Sequence, residues 1–349
     1  MMLYSPLFLL LASLDHVAAI RFLGRVNPAT RQLTWPGTGV SFTFTGSSAN
    51  IDVESVSGDN SADLIIDGKT TVIPSIDATS ISTPSDLRHG KHTVELRRRS
   101  ETAYGTMVLG NITTDGVFGR DKYSSRKIEF IGDSITVGYG LDGEHPCVNS
   151  AALEDAPSTY AALAAKAVGA DYDMVAWSGI GLTRNYLSVG TIDTSDIMPE
   201  RWTRYGALDP LNSYPFNKKA KPDVVVINLG TNDFAYQEGI RGPIDPSKFT
   251  AAMVDFVKTV KSRYPKAVFF LMDSPMLSDT YPTAEDAQKT TQTRALEAAI
   301  AQLKTNTNIQ LVHWPTQGAD VGCDFHPNAA THAAEADVLA AALAKEMGW

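Results

Sequence analysis

The sequence predicts two domains of different class: an all-β domain over residues 20–122, then an α/β domain over residues 123–349 built on a parallel sheet. Three observations carry this. A chain of 349 residues favours two domains over one. Its first third runs in short apolar/polar alternations broken by turn pairs. Its remainder alternates apolar strands with helical segments, the pattern of a sheet covered on both faces.

The elements follow in order. Leu7 to Leu14 is a short apolar run, and Val17-Ala18-Ala19 supplies the small residues of a cleavage site. No Lys or Arg precedes the run. A secretory signal is expected over residues 1–19, and the mature chain is expected to be secreted and extracellular. No later run approaches the ~18 apolar residues of a membrane span. Val40-Ser41-Phe42-Thr43-Phe44 and Ala62-Asp63-Leu64-Ile65-Ile66 read as strands, punctuated by Pro36-Gly37, Asp67-Gly68, His89-Gly90 and Asp115-Gly116. Short strands at this spacing predict a sandwich or jelly roll. Arg97-Arg98-Arg99 reads as a solvated strand end, and Asn111-Ile112-Thr113 is a glycosylation acceptor.

From Lys127 the pattern changes. Strands are expected at Lys127–Ile131, Tyr172–Trp177, Asp223–Leu229, Ala267–Met272 and Ile309–Trp314. Helices are expected at Ser158–Val168, Pro246–Tyr264, Ala284–Leu303 and Pro327–Met347. The run Asp-Val-Val-Val-Ile-Asn-Leu from Asp223 is apolar from Val224 to Ile227, as a strand buried on both faces requires. Residues 178–222 are less regular and suit substrate-contacting loops.

Composition sets limits. With 43% hydrophobic and 20% charged residues the chain is globular rather than disordered. Its net charge of −9 does not suit phosphate backbones or anionic membranes, so neither nucleic acid nor membrane is expected as a partner. Two cysteines are too few for a disulfide scaffold or a four-thiolate zinc site. His145, His313 and His332 show no metal-ligand spacing, and no metal or other cofactor is expected.

Open α/β sheets place their sites at the carboxyl ends of strands. Ser134 follows the first strand in Gly132-Asp133-Ser134, where a tight turn exposes a hydroxyl and its own N–H. Gly179 follows the second, where a backbone N–H can approach a substrate closely. Asn232 follows the third and offers a neutral side-chain N–H donor. His326 follows the last and stands beside Pro327, expected as the first residue of the final helix. Each residue alone has a bland reading as a cap, a turn or a packed ring. Together they are the set serine attack needs: a nucleophile, a base and preorganised donors for an oxyanion. Trp177 and Trp314 lie near strand ends and read as core packing ahead of sugar stacking.

On these residues the sequence resembles the GDSL, or SGNH, hydrolase family, whose Ser, Gly, Asn and His markers fall here on Ser134, Gly179, Asn232 and His326. The resemblance implies a flavodoxin-like α/β/α fold for the second domain. With a β-rich domain before it, the chain looks like carbohydrate esterase family 2. Gly24-Arg25, Asp67-Gly68, the run Gly90 to Val94, and Gly179-Ile180-Gly181 with Arg184-Asn185 carry that likeness. It implies removal of O-acetyl groups from plant cell-wall polysaccharide, with a leaning to 6-O-acetyl hexoses. Alternatives are an SGNH esterase or lipase for lipid or aryl esters, and a carbohydrate-binding protein without catalysis. Arg184 and Asn185 are then expected to contact sugar hydroxyls.

The acid is out of place. Most SGNH enzymes carry it three residues before the histidine, where this chain has Cys323. Asp324, two residues before, is the expected orienter of His326, with a backbone carbonyl as the alternative. A free histidine titrates near ~6.5, so activity is expected to fall around there in acid. Cys147 and Cys323, the only cysteines in a chain read as secreted, are expected to pair above the same sheet edge.

Overall fold

The computed structural model describes residues 20–77, 79–120, 124–188, 191–216, 221–237 and 239–349. The expected signal segment lies outside the described residues.

The amino-terminal domain is a sandwich of two antiparallel sheets. Its strands are β1 (Ile20–Leu23), β2 (Gln32–Leu33), β3 (Gly39–Gly46), β4 (Ala49–Gly58), β5 (Ala62–Ile66), β6 (Lys69–Ile73), β7 (Ser80–Ser82), β8 (Gly90–Arg98), β9 (Gly105–Thr114) and β10 (Val117–Phe118). One sheet runs β1-β3-β8-β5-β6 with β10 paired to β3, and the other runs β2-β9-β4-β7. Alternation does its expected work here. Val40, Phe42 and Phe44 of β3 point inward to meet Ile51 and Val53 of β4 and Leu109 of β9.

The second domain begins at β11 (Lys127–Gly132), which leads into α1 (Ser134–Val137). Then come α2 (Tyr160–Ala167), β12 (Asp171–Ala176), a hairpin of β13 (Leu187–Ser188) and β14 (Thr191–Ile192), α3 (Met198–Arg201), β15 (Val224–Asn228), α4 (Thr231–Phe234), α5 (Pro246–Arg263), β16 (Val268–Met272), α6 (Gln288–Leu303), β17 (Ile309–Val312) and α7 (Ala329–Met347). The five parallel strands lie in the order β12-β11-β15-β16-β17. Successive residues of β15 serve opposite faces. Val225 and Ile227 enter the core under α5 and α6 with Phe249, Met253 and Leu296. Val224 and Val226 enter the core under α2 and α7 with Tyr160, Leu339 and Leu343. That double burial is why the strand reads as unbroken apolar sequence.

Two expectations change. The last helix starts at Ala329, because Asn328 is its cap, with Oδ1 accepting from the Thr331 amide at 3.0 Å, and Pro327 stands outside it. Arg97, Arg98 and Arg99 are not solvated; they are 5%, 0% and 2% exposed. Arg99 reaches across the domain boundary to Asp155 at 3.0 Å and to Asp142, while holding Asp63 of its own domain at 2.9 Å. Arg97 stacks on Tyr172 of the other domain, 4.2 Å from the ring centre. Arg98 donates to the carbonyls of Leu33, Thr34 and Glu101. The run is buried because carboxylates and carbonyls arrive from elements distant in sequence. Arg25 completes the seam with a paired contact to Glu129 of β11, at 3.0 and 3.1 Å.

Candidate active site

Residue Ser134 opens α1 directly after β11. Asp133 caps that turn, its Oδ1 accepting from the Ile135 amide at 3.1 Å. Burial pushes the Asp133 carboxyl up to about 7. Its other oxygen receives Asn232 Nδ2 at 3.4 Å. Asn232 stands on α4 after β15 and also donates to the Ile180 carbonyl at 3.1 Å. The side-chain amide is therefore fixed in plane between the nucleophile turn and the loop after β12.

That loop carries Gly179 in the left-handed region at φ 78°, which favours glycine. Its carbonyl accepts from the Tyr186 amide at 2.6 Å. Asn185 is buried inside this loop, which leaves no face for a sugar, while half-buried Arg184 braces it. Asn185 is 1% exposed; its Oδ1 accepts from the Gly181 amide at 3.1 Å and its Nδ2 donates to Ser195 O at 2.7 Å. Arg184 is spent on the carbonyls of Asp233, Ala235 and Gly242. Asp233, beside Asn232, gathers the amides of Leu182, Thr183 and Arg184. Loop and donor are thus braced by one buried carboxylate.

The base arrives by a longer route. Strand β17 lies at the sheet edge, three places from β11, and the chain returns along the carboxyl edge from His313 to His326. The disulfide Cys147–Cys323 ties that return to the loop after the nucleophile, with Cα atoms 4.5 Å apart. Gly140 makes room for it, since a Cβ there would sit 2.4 Å from the Cys323 Cβ. Asp324 and Phe325 then both take left-handed backbone, at φ 48° and 68°. This conformation decides the orienter. The Asp324 carbonyl, not its carboxylate, meets His326 Nδ1, at 3.0 Å. The carboxylate turns away to accept from Tyr139 Oη at 2.9 Å and the Asn149 amide at 3.3 Å. Asp324 as a triad acid is therefore corrected. A carbonyl only accepts, so Nδ1 carries the proton and Nε2 keeps its lone pair. The Tyr139 ring stacks on the imidazole at 4.0 Å. Burial pushes His326 down to about 4, against the raising influence of Asp324, and well below the ~6.5 expected of a free ring.

The described residues thus place the serine, the glycine loop, the asparagine and the histidine at one edge of one sheet. Trp314 is buried against Tyr160, and Trp177 packs on the core under Arg201. Among the described residues no group of three His, Cys, Asp or Glu side chains is arranged to hold a metal. A mixed-charge cleft of about 330 Å³, lined by Arg97, Lys127, Asp171 and Asp173, lies at the opposite edge of the sheet, away from these groups. Sequence reasoning missed Tyr139 and Phe325. Tyr139 lies five residues beyond the serine with no pattern to mark it, and Phe325 is 60% exposed beside the base.

Residues 130–334 match the GDSL-like Lipase/Acylhydrolase family, and residues 22–118 match the Carbohydrate esterase 2 N-terminal family. A solved carbohydrate esterase family 2 enzyme with a carbohydrate-binding domain, from Corynascus thermopiles (Myceliophthora fergusii), is 62% identical; the match covers 95% of this chain and 100% of that one, with a TM-score of 0.92. The acetylxylan esterase / glucomannan deacetylase of Cellvibrio japonicus is 31% identical over 92% of this chain and 87% of its own length. Cellulase/esterase CelE of Acetivibrio thermocellus is 32% identical over 93% of this chain, which spans 38% of that longer protein.

Proposed function

The chain belongs to the GDSL-like lipase/acylhydrolase family and carries a carbohydrate esterase 2 amino-terminal domain, and from that premise we propose that it is a secreted serine esterase removing O-acetyl groups from acetylated plant polysaccharide. The observation that carries the reading is the orientation of His326. With Nδ1–H held by the Asp324 carbonyl, Nε2 is free to take the Ser134 proton as the hydroxyl attacks an acetyl carbonyl. The tetrahedral oxyanion then needs donors. The Ser134 and Gly179 amides and Asn232 Nδ2 supply them. Asn232 commits one hydrogen to Ile180; the other, only in a long 3.4 Å contact with Asp133, is the one an oxyanion captures. His326 returns the proton to the leaving sugar hydroxyl, and water repeats the sequence to release acetate.

The similarity to an acetylxylan esterase / glucomannan deacetylase supports xylan or glucomannan as the acetylated substrate. Phe325 and Tyr186, 60% and 51% exposed beside His326 and the glycine loop, offer ring faces to a sugar. The apolar run and small residues before Ile20 support export, and Asn111, exposed on β9, is then open to glycosylation. The test is acetate release from acetylated glucomannan and from acetylated xylan by wild type and Ser134→Ala. Release by the wild type alone supports the reading, and release by neither overturns it.

A further inference from the structure

Two carboxyl groups lie buried where the domains meet. Glu101 follows β8 in the first domain and is 2% exposed; Glu154 precedes α2 in the second and is fully buried. The Glu101 amide donates to Glu154 Oε2 at 2.6 Å. Among the described residues neither joins an ion pair. Arg98 acts on both from a distance while its guanidinium is spent on carbonyls. Burial raises both groups, and the neighbouring Glu101 raises Glu154 further.

From this pair two arms reach the site. Glu101 Oε2 accepts from the Ser178 amide at 2.8 Å, one residue before Gly179. Glu154 Oε1 accepts from Asn149 Nδ2 at 2.8 Å, and the Asn149 amide donates to the Asp324 carboxylate. We propose that Glu101 is a positioning residue for the oxyanion loop: it holds the Ser178 amide and so aims the Gly179 N–H, while Glu154 steadies the loop of the base through Asn149. The first domain is by this account part of the catalytic scaffold. An apolar pair of the same shape would fill the space. What it would not do is accept the amide and carboxamide hydrogens of Ser178 and Asn149.

The proposal rests on the esterase reading, and the full-length chain tests both on p-nitrophenyl acetate with active-site titration. Glu101→Met keeps the volume and removes the acceptor. It should lower kcat per titrated site by about 10- to 100-fold with KM within about threefold. Glu101→Gln keeps an oxygen for the Ser178 amide and should recover kcat to within about threefold of wild type. Glu101→Asp keeps the acid but draws it back by one methylene; it should lose about tenfold or more, and it serves where the Met variant does not fold. A purely structural role lowers the titrated fraction and leaves kcat per site unchanged. Wild-type kcat per site in a folded Met or Asp variant overturns the proposal alone, as does a loss confined to KM. An inactive wild type overturns the esterase reading and this proposal with it.

Discussion

At the scale of single residues, Ser134→Ala should leave the fold intact and lower kcat by about 10⁴ to 10⁶, and a variant with a tenth of wild-type activity removes it as nucleophile. Asn232→Ala should lower kcat by about 10² to 10³ with a smaller change in KM, since its donor matters most to the oxyanion. The acid limb follows from His326. Its pKa is lowered to about 4, so the imidazole stays neutral and competent below the usual histidine range. A pH profile of kcat/KM should hold through 6 and fall only as about 4 is approached; a limb centred near ~6.5 contradicts this. Asp324→Asn should cost less than about tenfold, because the carbonyl survives the change, whereas a loss near ~10⁴ would reinstate the carboxylate. Ser134, Gly179 and Asn232 were legible because each stands within four residues of a strand's carboxyl end, and His326 because it precedes the final helix at the same sheet edge. The role of Asp324 was not. Carbonyl or carboxylate is chosen by a φ of 48°, which no spacing rule encodes.

At the scale of elements, every expected strand and helix of the second domain is present, with no end displaced by more than four residues. Helix α6 begins at Gln288 rather than Ala284, after Ala287 in left-handed backbone at φ 39°, and α7 at Ala329 rather than Pro327, where Asn328 caps it; apolar periodicity marks neither end. The loop of the base depends on a crosslink instead. Asp324 and Phe325 hold left-handed backbone at a cost of order 1–3 kcal/mol each, and neighbours must hold them there. The Asp324 amide does so by donating to the carbonyl of Cys147, the disulfide partner of the preceding residue, at 3.1 Å. Replacing both cysteines by alanine removes a crosslink over 176 positions, for which chain entropy sets an upper figure of about 5 kcal/mol. The urea midpoint should drop, and kcat should fall further than the folded fraction explains. Equal losses in both would make the bridge a stabilising device only.

For the whole molecule, the seam between domains is the feature hardest to read in advance. An arginine run has the same letters whether it meets water or three aspartates. Its burial here depends on Asp142 and Asp155 arriving from another domain. Glu129 shows what the seam costs to open. It receives Arg25, Trp202 Nε1 at 2.7 Å and Tyr264 Oη at 3.0 Å. Arg25→Met leaves that carboxylate buried without its cation and should destabilise the chain by about 3–5 kcal/mol. Calorimetry of the wild type should show both domains melting in one transition. Two resolved transitions would show that the seam does not couple them.

Strand order also makes the histidine loop a mechanical part. Three strand spacings separate β17 from β11, about 14 Å at 4.8 Å each. The segment from His313 to His326 is a cantilever, rooted at the sheet edge and loaded at its tip. The disulfide bolts the tip, so the span between root and bolt need not be stiff. Its length is then a free variable: an extra glycine beside Gly318, an open position with only Val321 nearby, should be tolerated while the bolt is closed and ruinous once it is reduced.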